Sequence, residues 1–333
     1  MAFRRASAIV GALALVAAFA VPSFAQEKRK LTKDEQTQYE AIHAVVDDVA
    51  AGKRPAPADL KVTFYNHFIK SPTDVYVPYT LVVEPGKLAE LPAVLYVRAI
   101  AKSGAAAAMA KQAGKNAKPF AFEDVAFVTP GADNTVQRAL QLVPGDYDVV
   151  IALSEKMPKD KKAPAPKMLV YTQPLTVPDL STGLTTSSVI LAKSIDPADA
   201  QPNAQQQLEQ PYTISGYKIV PTRATSFPKT SELLWVFYIY NEGAAATGKP
   251  DVNVEYTFAK AGEDKPFVNI PASAFNATTL PPEFNLAAGH ILFVAQGVPL
   301  ATIAPGDYKL QIKVTDKTNN QSVTRDVPFS VTQ

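Results

Sequence analysis

Along residues 33–51 the apolar side chains Tyr39, Ile42, Val46 and Val49 recur at spacings of three and four, which predicts one amphipathic helix. Thr32-Lys33-Asp34-Glu35 stands before it as a capping box, in which the Thr32 side chain caps the helix and Glu35 reaches back. Gly52 ends the stripe, and Lys53-Arg54-Pro55-Ala56-Pro57 forms a stiff exit. From Leu60 the period shortens to two. Short runs rich in Val, Tyr and Phe follow one another, separated by Pro, Gly, Asp and Asn, and this is strand periodicity with turn chemistry.

The first set of predicted strands covers 61–69, 74–84, 92–101, 119–128, 135–143, 146–154, 167–177 and 184–193. After Asp196-Pro197 the segment 198–211 is rich in Ala, Gln, Asp and Pro, with little apolar bulk, and reads as a linker. A second set then covers 213–223, 232–241, 251–260, 266–275, 289–298, 307–315 and 322–332. The expected organisation is a leader at 1–25, a helix and linker at 26–57, a first β domain at 58–196, a linker at 197–211 and a second β domain at 212–333.

An internal repeat supports the division. Leu142-Val143-Pro144-Gly145-Asp146-Tyr147 matches Ile303-Ala304-Pro305-Gly306-Asp307-Tyr308, and the strand around Tyr79 has its counterpart around Phe237. Two copies make a tandem pair and not a solenoid. In each Pro-Gly-Asp-Tyr element, Pro and Gly turn the chain into a strand and the tyrosine ring points inward, its hydroxyl free to bond backbone at the corner. Beyond Tyr308, Leu310, Ile312 and Val314 alternate with Lys309, Gln311 and Lys313, one face dry and one wet. The fold class expected is all-β: two tandem immunoglobulin-like antiparallel β-sandwiches, preceded by one short amphipathic α-helix, with Tyr147 and Tyr308 as equivalent corner tyrosines.

The first 25 residues have the three parts of a secretory leader: Arg4 and Arg5, an apolar run from Ala6 to Ala20, and Ser23-Phe24-Ala25 as a small-residue cleavage site. Cleavage is expected after Ala25 by a Sec-type route, giving a periplasmic or secreted protein with no membrane span once the leader is gone. The chain has no cysteine, so lipoprotein anchoring, disulfides, iron–sulfur clusters and thiol catalysis are excluded. The formal charge of +2 belongs to the precursor. Loss of Arg4 and Arg5 leaves a neutral chain with no long-range field to attract nucleic acid.

Phe68-Ile69-Lys70 leading to Tyr76-Val77-Pro78-Tyr79, the two Pro-Gly-Asp-Tyr corners, and Val177-Pro178-Asp179-Leu180 leading to Ser188-Val189-Ile190-Leu191 carry a resemblance. This part of the chain resembles the β-sandwich regions of uncharacterised secreted bacterial proteins that often carry von Willebrand A-type or GWxTD domains. Neither of those domains is matched here: the only tryptophan lies in Leu233-Leu234-Trp235. The sandwich regions of that group imply no catalytic residues.

Residue chemistry points away from catalysis. His43, His67 and His290 lie in three different elements, with no metal-ligand spacing among them. No Gly-x-Ser-x-Gly elbow, phosphate loop or dinucleotide fingerprint is present. No catalytic residue, metal site or cofactor is expected. Lys102, Lys111, Lys115 and Lys118, and separately Lys156, Lys159, Lys161, Lys162 and Lys167, read as solvated loops. The aromatic pattern leaves the first domain with an apolar outer face around Tyr65, Tyr76 and Tyr96, the candidate ligand or partner surface. The expected function is non-enzymatic protein–protein or envelope interaction, with another envelope or secreted protein as partner. Glycan binding through exposed tyrosines is the alternative, and an unrecognised hydrolase a further one. The helix at 33–51 is too short to stand alone in water and is expected to dock on that apolar face.

Overall fold

In the computed structural model, which describes residues 30–104, 120–158, 160, 162–263 and 265–333, helix α1 spans Lys33–Ala50. Its capping box is complete: the Thr32 hydroxyl accepts from the Glu35 amide at 3.3 Å, and the Glu35 carboxylate accepts from the Thr32 amide at 2.8 Å. The leader at 1–25 and its junction after Ala25 lie outside the described residues, as do Lys111, Lys115, Lys118, Lys159 and Lys161.

The protein is mostly β, with antiparallel sheets and, among the described residues, two α-helices. The described residues divide into two units: those from Lys30 to Asp179 together with Asn203–Pro211, and Leu180–Pro202 together with Tyr212–Gln333.

In the first unit, sheet I joins β1 (Val62–Asn66), β2 (Ile69–Lys70), β3 (Val75–Val83) and β6 (Thr135–Leu142). Sheet II has the order β5 (Phe122–Val128), β4 (Ala93–Ala101), β7 (Gly145–Ser154), β8 (Met168–Val177). The strand expected at 61–69 is present as two pieces, β1 and β2, in one continuous register on β3. The His67 amide donates to the Pro78 carbonyl at 3.0 Å, but Pro78 has no N–H to return the bond, which leaves a gap between the pieces. Both pieces lie along the same side of β3, β1 on its C-terminal half and β2 on its N-terminal end. Strand β4 is buried on both faces, as its double apolar alternation requires. The Arg138 guanidinium on β6 meets the Asp124 carboxylate on β5 at 2.8 Å and so links the two sheets.

In the second unit, sheet III contains β9 (Thr185–Thr186), β10 (Ile190–Pro197), β11 (Thr213–Ile214), β12 (Tyr217–Pro221), β14 (Glu232–Tyr240) and β17 (Leu292–Pro299). Sheet IV has the order β13 (Ser226–Pro228), β19 (Gln321–Thr332), β18 (Gly306–Asp316), β15 (Val252–Lys260), β16 (Pro266–Phe275). One core joins them: Trp235, Phe237 and Ile239 from β14 pack with Tyr256, Phe258, Leu310 and Ile312 from sheet IV. The rings of Trp235 and Tyr256 stand 5.6 Å apart.

Two boundaries differ from expectation. The strand expected at 184–193 in the first domain pairs with β14 instead, Ile190 opposite Val236, and belongs to the second unit. Alternation says which face of a strand is buried but not which strand lies beside it. The linker expected at 197–211 holds helix α2, Ala204–Glu209, which belongs to the first unit. Asn203 and Gln206 form a capping box around its first turn. The strand expected at 213–223 is the hairpin β11–β12, turned by Ser215 and Gly216 with φ of 52° and 79°.

A common pairing scheme recurs in the two units, to which the second adds β11, β12 and β13, the last running parallel to β19. Strand β9 lies on the C-terminal end of β14 and β10 on its N-terminal half, just as β1 and β2 lie on β3. Strands β6 and β17 take the other side of β3 and β14. In sheet II, Tyr147 opposes Ala101 on one side and Leu175 on the other; in sheet IV, Tyr308 opposes Lys260 and Phe329.

Candidate functional site

The richest polar chemistry in the first unit lies where α1 meets the outer face of sheet II. Residues 42 and 46 of α1 are one helical turn apart, so Ile42 and Val46 point the same way and are 0% and 1% exposed. They sink among Val94, Tyr96, Val150, Ala152, Met168 and Val170. At the N-terminal side Gln38 satisfies the Met157 backbone in both directions, its carbonyl oxygen accepting at 2.7 Å and its amide donating at 3.3 Å.

Alternate residues of β4 place Val94, Tyr96 and Arg98 on this one face. Arg98 is 3% exposed, and its guanidinium lies 3.7 Å above the centre of the Phe120 ring. It donates to the Tyr96 hydroxyl at 2.9 Å, to Asp47 Oδ1 at 2.9 Å and to His43 Nε2 at 3.2 Å. A guanidinium has no acceptor, so His43 Nε2 must accept and the imidazole proton sits on Nδ1. That nitrogen faces Asp47 Oδ2 at 3.1 Å, across one helical turn.

Glu123 on β5 closes the network. Its Oε1 accepts from the Tyr96 hydroxyl at 2.5 Å and from the Tyr39 hydroxyl at 3.4 Å, and lies 3.6 Å from His43 Nε2. Burial, followed by the hydrogen bond to Glu123, pushes the Tyr96 phenol well above its ordinary range. Burial and the Glu123 charge raise Tyr39 in the same sense. The rings of Tyr39, His43 and Tyr96 meet one another at 5.4–6.1 Å between centroids. Both carboxylates are thus engaged with donors that hold the helix to the sheet. Among the described residues no group of three or more His, Asp or Glu side chains could hold a metal ion.

The three tyrosines singled out by pattern do not form one surface. Tyr96 is fully buried beneath α1. Tyr76 is 6% exposed, and its hydroxyl donates to the Gln207 carbonyl at 3.1 Å and lies 3.3 Å from that of Pro211, beneath the segment that carries α2. Tyr65 alone is exposed, at 41%. The helix therefore docks on the face of Tyr96, while Tyr76 lies under a different helix. Period-two alternation distinguished the two sides of each strand but not which cover each side receives.

Tyr147 and Tyr308 are both buried at the start of their strands. Of the lysine-rich loops, Lys102 pairs with Asp148 at 3.3 Å, and the Lys167 amide and side chain meet Glu155 at 2.9 Å and 3.9 Å. His43 and Asp47, four residues apart, were a readable pair on one helix face. Arg98 and Glu123 were not, because nothing in the local pattern shows which outward residues of adjacent strands meet a helix. No described helix is long and apolar enough to cross a membrane.

No protein-family model matches the chain, and no curated protein matches it.

Proposed function

We propose that this chain is an exported, non-enzymatic protein of two tandem immunoglobulin-like β-sandwiches that works by binding another envelope or secreted protein. The leader-like N-terminus and the repeated strand pairing support the export and tandem parts of the reading. The observation that carries the binding part is the outer face of sheet II. There Arg98, Tyr96 and Glu123, set among Val94, Val150 and Ala152, recognise an amphipathic helix through both its apolar stripe and its His43–Asp47 pair. An apolar seat with a few convergent polar groups is how a folded surface selects a helical peptide. The same groups are closed on one another, which is the opposite of what a hydrolytic carboxylate pair requires.

Photo-crosslinking in the cell tests the reading. A photoreactive residue replaces, one at a time, the exposed large apolar side chains Tyr65, Leu91 and Phe267. The expected result is a discrete adduct with another polypeptide of the envelope from at least one position. Normal export with no adduct at any of the three overturns the reading, as does hydrolytic turnover that disappears in Glu123→Gln.

A further inference from the structure

The repeated register allows the two copies to be compared residue by residue. Ala101 faces Tyr147 and Lys260 faces Tyr308, so Arg98, Tyr96 and Val94 on β4 correspond to Thr257, Glu255 and Asn253 on β15. On the neighbouring strands, Val150 and Ala152 correspond to Gln311 and Lys313. The inward positions agree in character: Leu95 and Val97 in one copy, Val254 and Tyr256 in the other, all buried. The outward positions do not. Sheet IV carries polar groups that pair within the sheet, Lys313 with Glu255 at 3.7 Å and Lys309 with Asp326 at 3.3 Å. Only the sheet II copy is shaped to receive a helix.

The helix it receives is held by few side chains. Ile42 and Val46 are its only fully buried apolar residues, and its main ionic contact, Asp47 to Arg98, is half-exposed on the Asp47 side. Residues 51–56 are all exposed. The chain rejoins sheet II at Pro57, whose carbonyl accepts from the Val170 amide at 2.9 Å. The amides of Ala51, Gly52 and Lys53 still bond to the last turn of α1, so a short strap, residues 54–56 with Pro55 at its centre, separates the capped helix from the sheet edge it must return to.

We propose that the outer face of sheet II takes α1 from a second copy of this chain, so that two molecules exchange helices and form a dimer. The proposal rests on the reading of that face as a helix-recognition surface, and it names the occupant. The complementarity needed in trans is already shown in cis, since Tyr39, Ile42, His43, Val46 and Asp47 would meet the same groups in the other molecule. Exchange keeps every contact and straightens the strap, which makes it a low-cost route to a dimer. The local concentration of the tethered helix favours the monomer when the protein is dilute, so the exchange is concentration-dependent.

Complementary charge reversal tests it on the full mature chain. Asp47→Arg sets two cations against each other, and Arg98→Asp sets acid against acid, whether the helix binds in cis or in trans. Mixed together, the two variants form a dimer in which both helix seats are complementary. Light scattering on the mixture, after incubation at high concentration, is expected to show a heterodimer at least tenfold tighter than either variant forms with itself. Two folded variants that remain monomeric when mixed overturn the proposal.

Arg98→Asp places an acid beside Glu123 and can fail to fold. In that case the wild-type chain decides. A fluorescent peptide of residues 30–52 is expected to bind it saturably, and the same peptide carrying Asp47→Arg at least tenfold more weakly. A wild-type chain that ignores the peptide and stays monomeric at millimolar concentration overturns the exchange. Envelope crosslinks obtained alongside that result leave the broader binding reading standing.

Discussion

The hydroxyl of Tyr147 donates to the carbonyl of Val143 at 2.7 Å, four residues back along the chain. Tyr308 repeats the arrangement with Ala304 at 2.6 Å. The neighbouring aspartates repeat it too: Asp146 accepts from Thr176 and Asp307 from Ser330, at equivalent places in their strand pairs. Burial pushes the Tyr147 phenol up to about 12. Each tyrosine therefore pins the turn that precedes it while its ring fills the core. Removing only the hydroxyl, in Tyr147→Phe or Tyr308→Phe, is expected to cost about 1 kcal/mol. Truncation to Ala is expected to cost about 3–5 kcal/mol. Urea denaturation of the four variants checks both figures, and a loss below about 0.5 kcal/mol for both Ala variants contradicts the corner role.

The seat of α1 should be separable from the rest of the fold. Ile42→Ala removes one of two fully buried side chains and is expected to weaken docking by about 2–4 kcal/mol. Hydrogen exchange should then accelerate across Lys33–Ala50 while the strands of the second unit keep wild-type protection. Uniform acceleration throughout the chain would show that the helix is not an independent element.

Arg98 and Asp47 should respond unequally although they share a hydrogen bond. Asp47 is half-exposed, so Asp47→Asn is expected to cost no more than about 1 kcal/mol. Arg98→Ala strips a buried guanidinium from Phe120, Tyr96, His43 and Asp47 together, and is expected to cost about 2–3 kcal/mol. Thermal melts of the two variants give the comparison; equal losses contradict it.

His67 should make the first unit acid-sensitive. Burial lowers its pKa from 6.5 to about 4. The folded state keeps this imidazole neutral while the unfolded chain takes a proton as pH falls below 6.5. Its contribution is thus complete above pH 6.5 and is lost progressively as pH falls toward 4, about 2 kcal/mol in all for a half-buried group. Stability measured from pH 7 to 4 should fall less steeply in His67→Gln than in wild type. Parallel curves assign the acid sensitivity to other groups.

The two helices show what a linear pattern can and cannot reveal. Helix α1 has both a capping box and an apolar stripe, and either signal alone would have placed it. Helix α2 has an equally complete box in Asn203 and Gln206, but over Ala204–Glu209 it offers only one large apolar residue, Leu208, and so passes for a linker. Strand β10 has strand periodicity, yet its partner is set by hydrogen bonds to β14, some forty residues further on. The faces of Tyr65, Tyr76 and Tyr96 were readable as faces. That one is partly exposed, one lies under α2 and one under α1 depends on chain paths that alternation does not encode. Arg98 illustrates the remainder: a lone cation in an apolar strand has meaning only once Asp47, fifty-one residues earlier, is brought against it.

Because alternate residues of a strand serve opposite faces, the two copies of this frame could diverge on one side without disturbing the other. Val94, Tyr96 and Arg98 build a seat; Asn253, Glu255 and Thr257, at the same places, leave a wet wall behind which the core is equally well filled. A frame repeated in this way holds a reserve: a blank outer surface on a finished interior, where a few substitutions could write a second specificity.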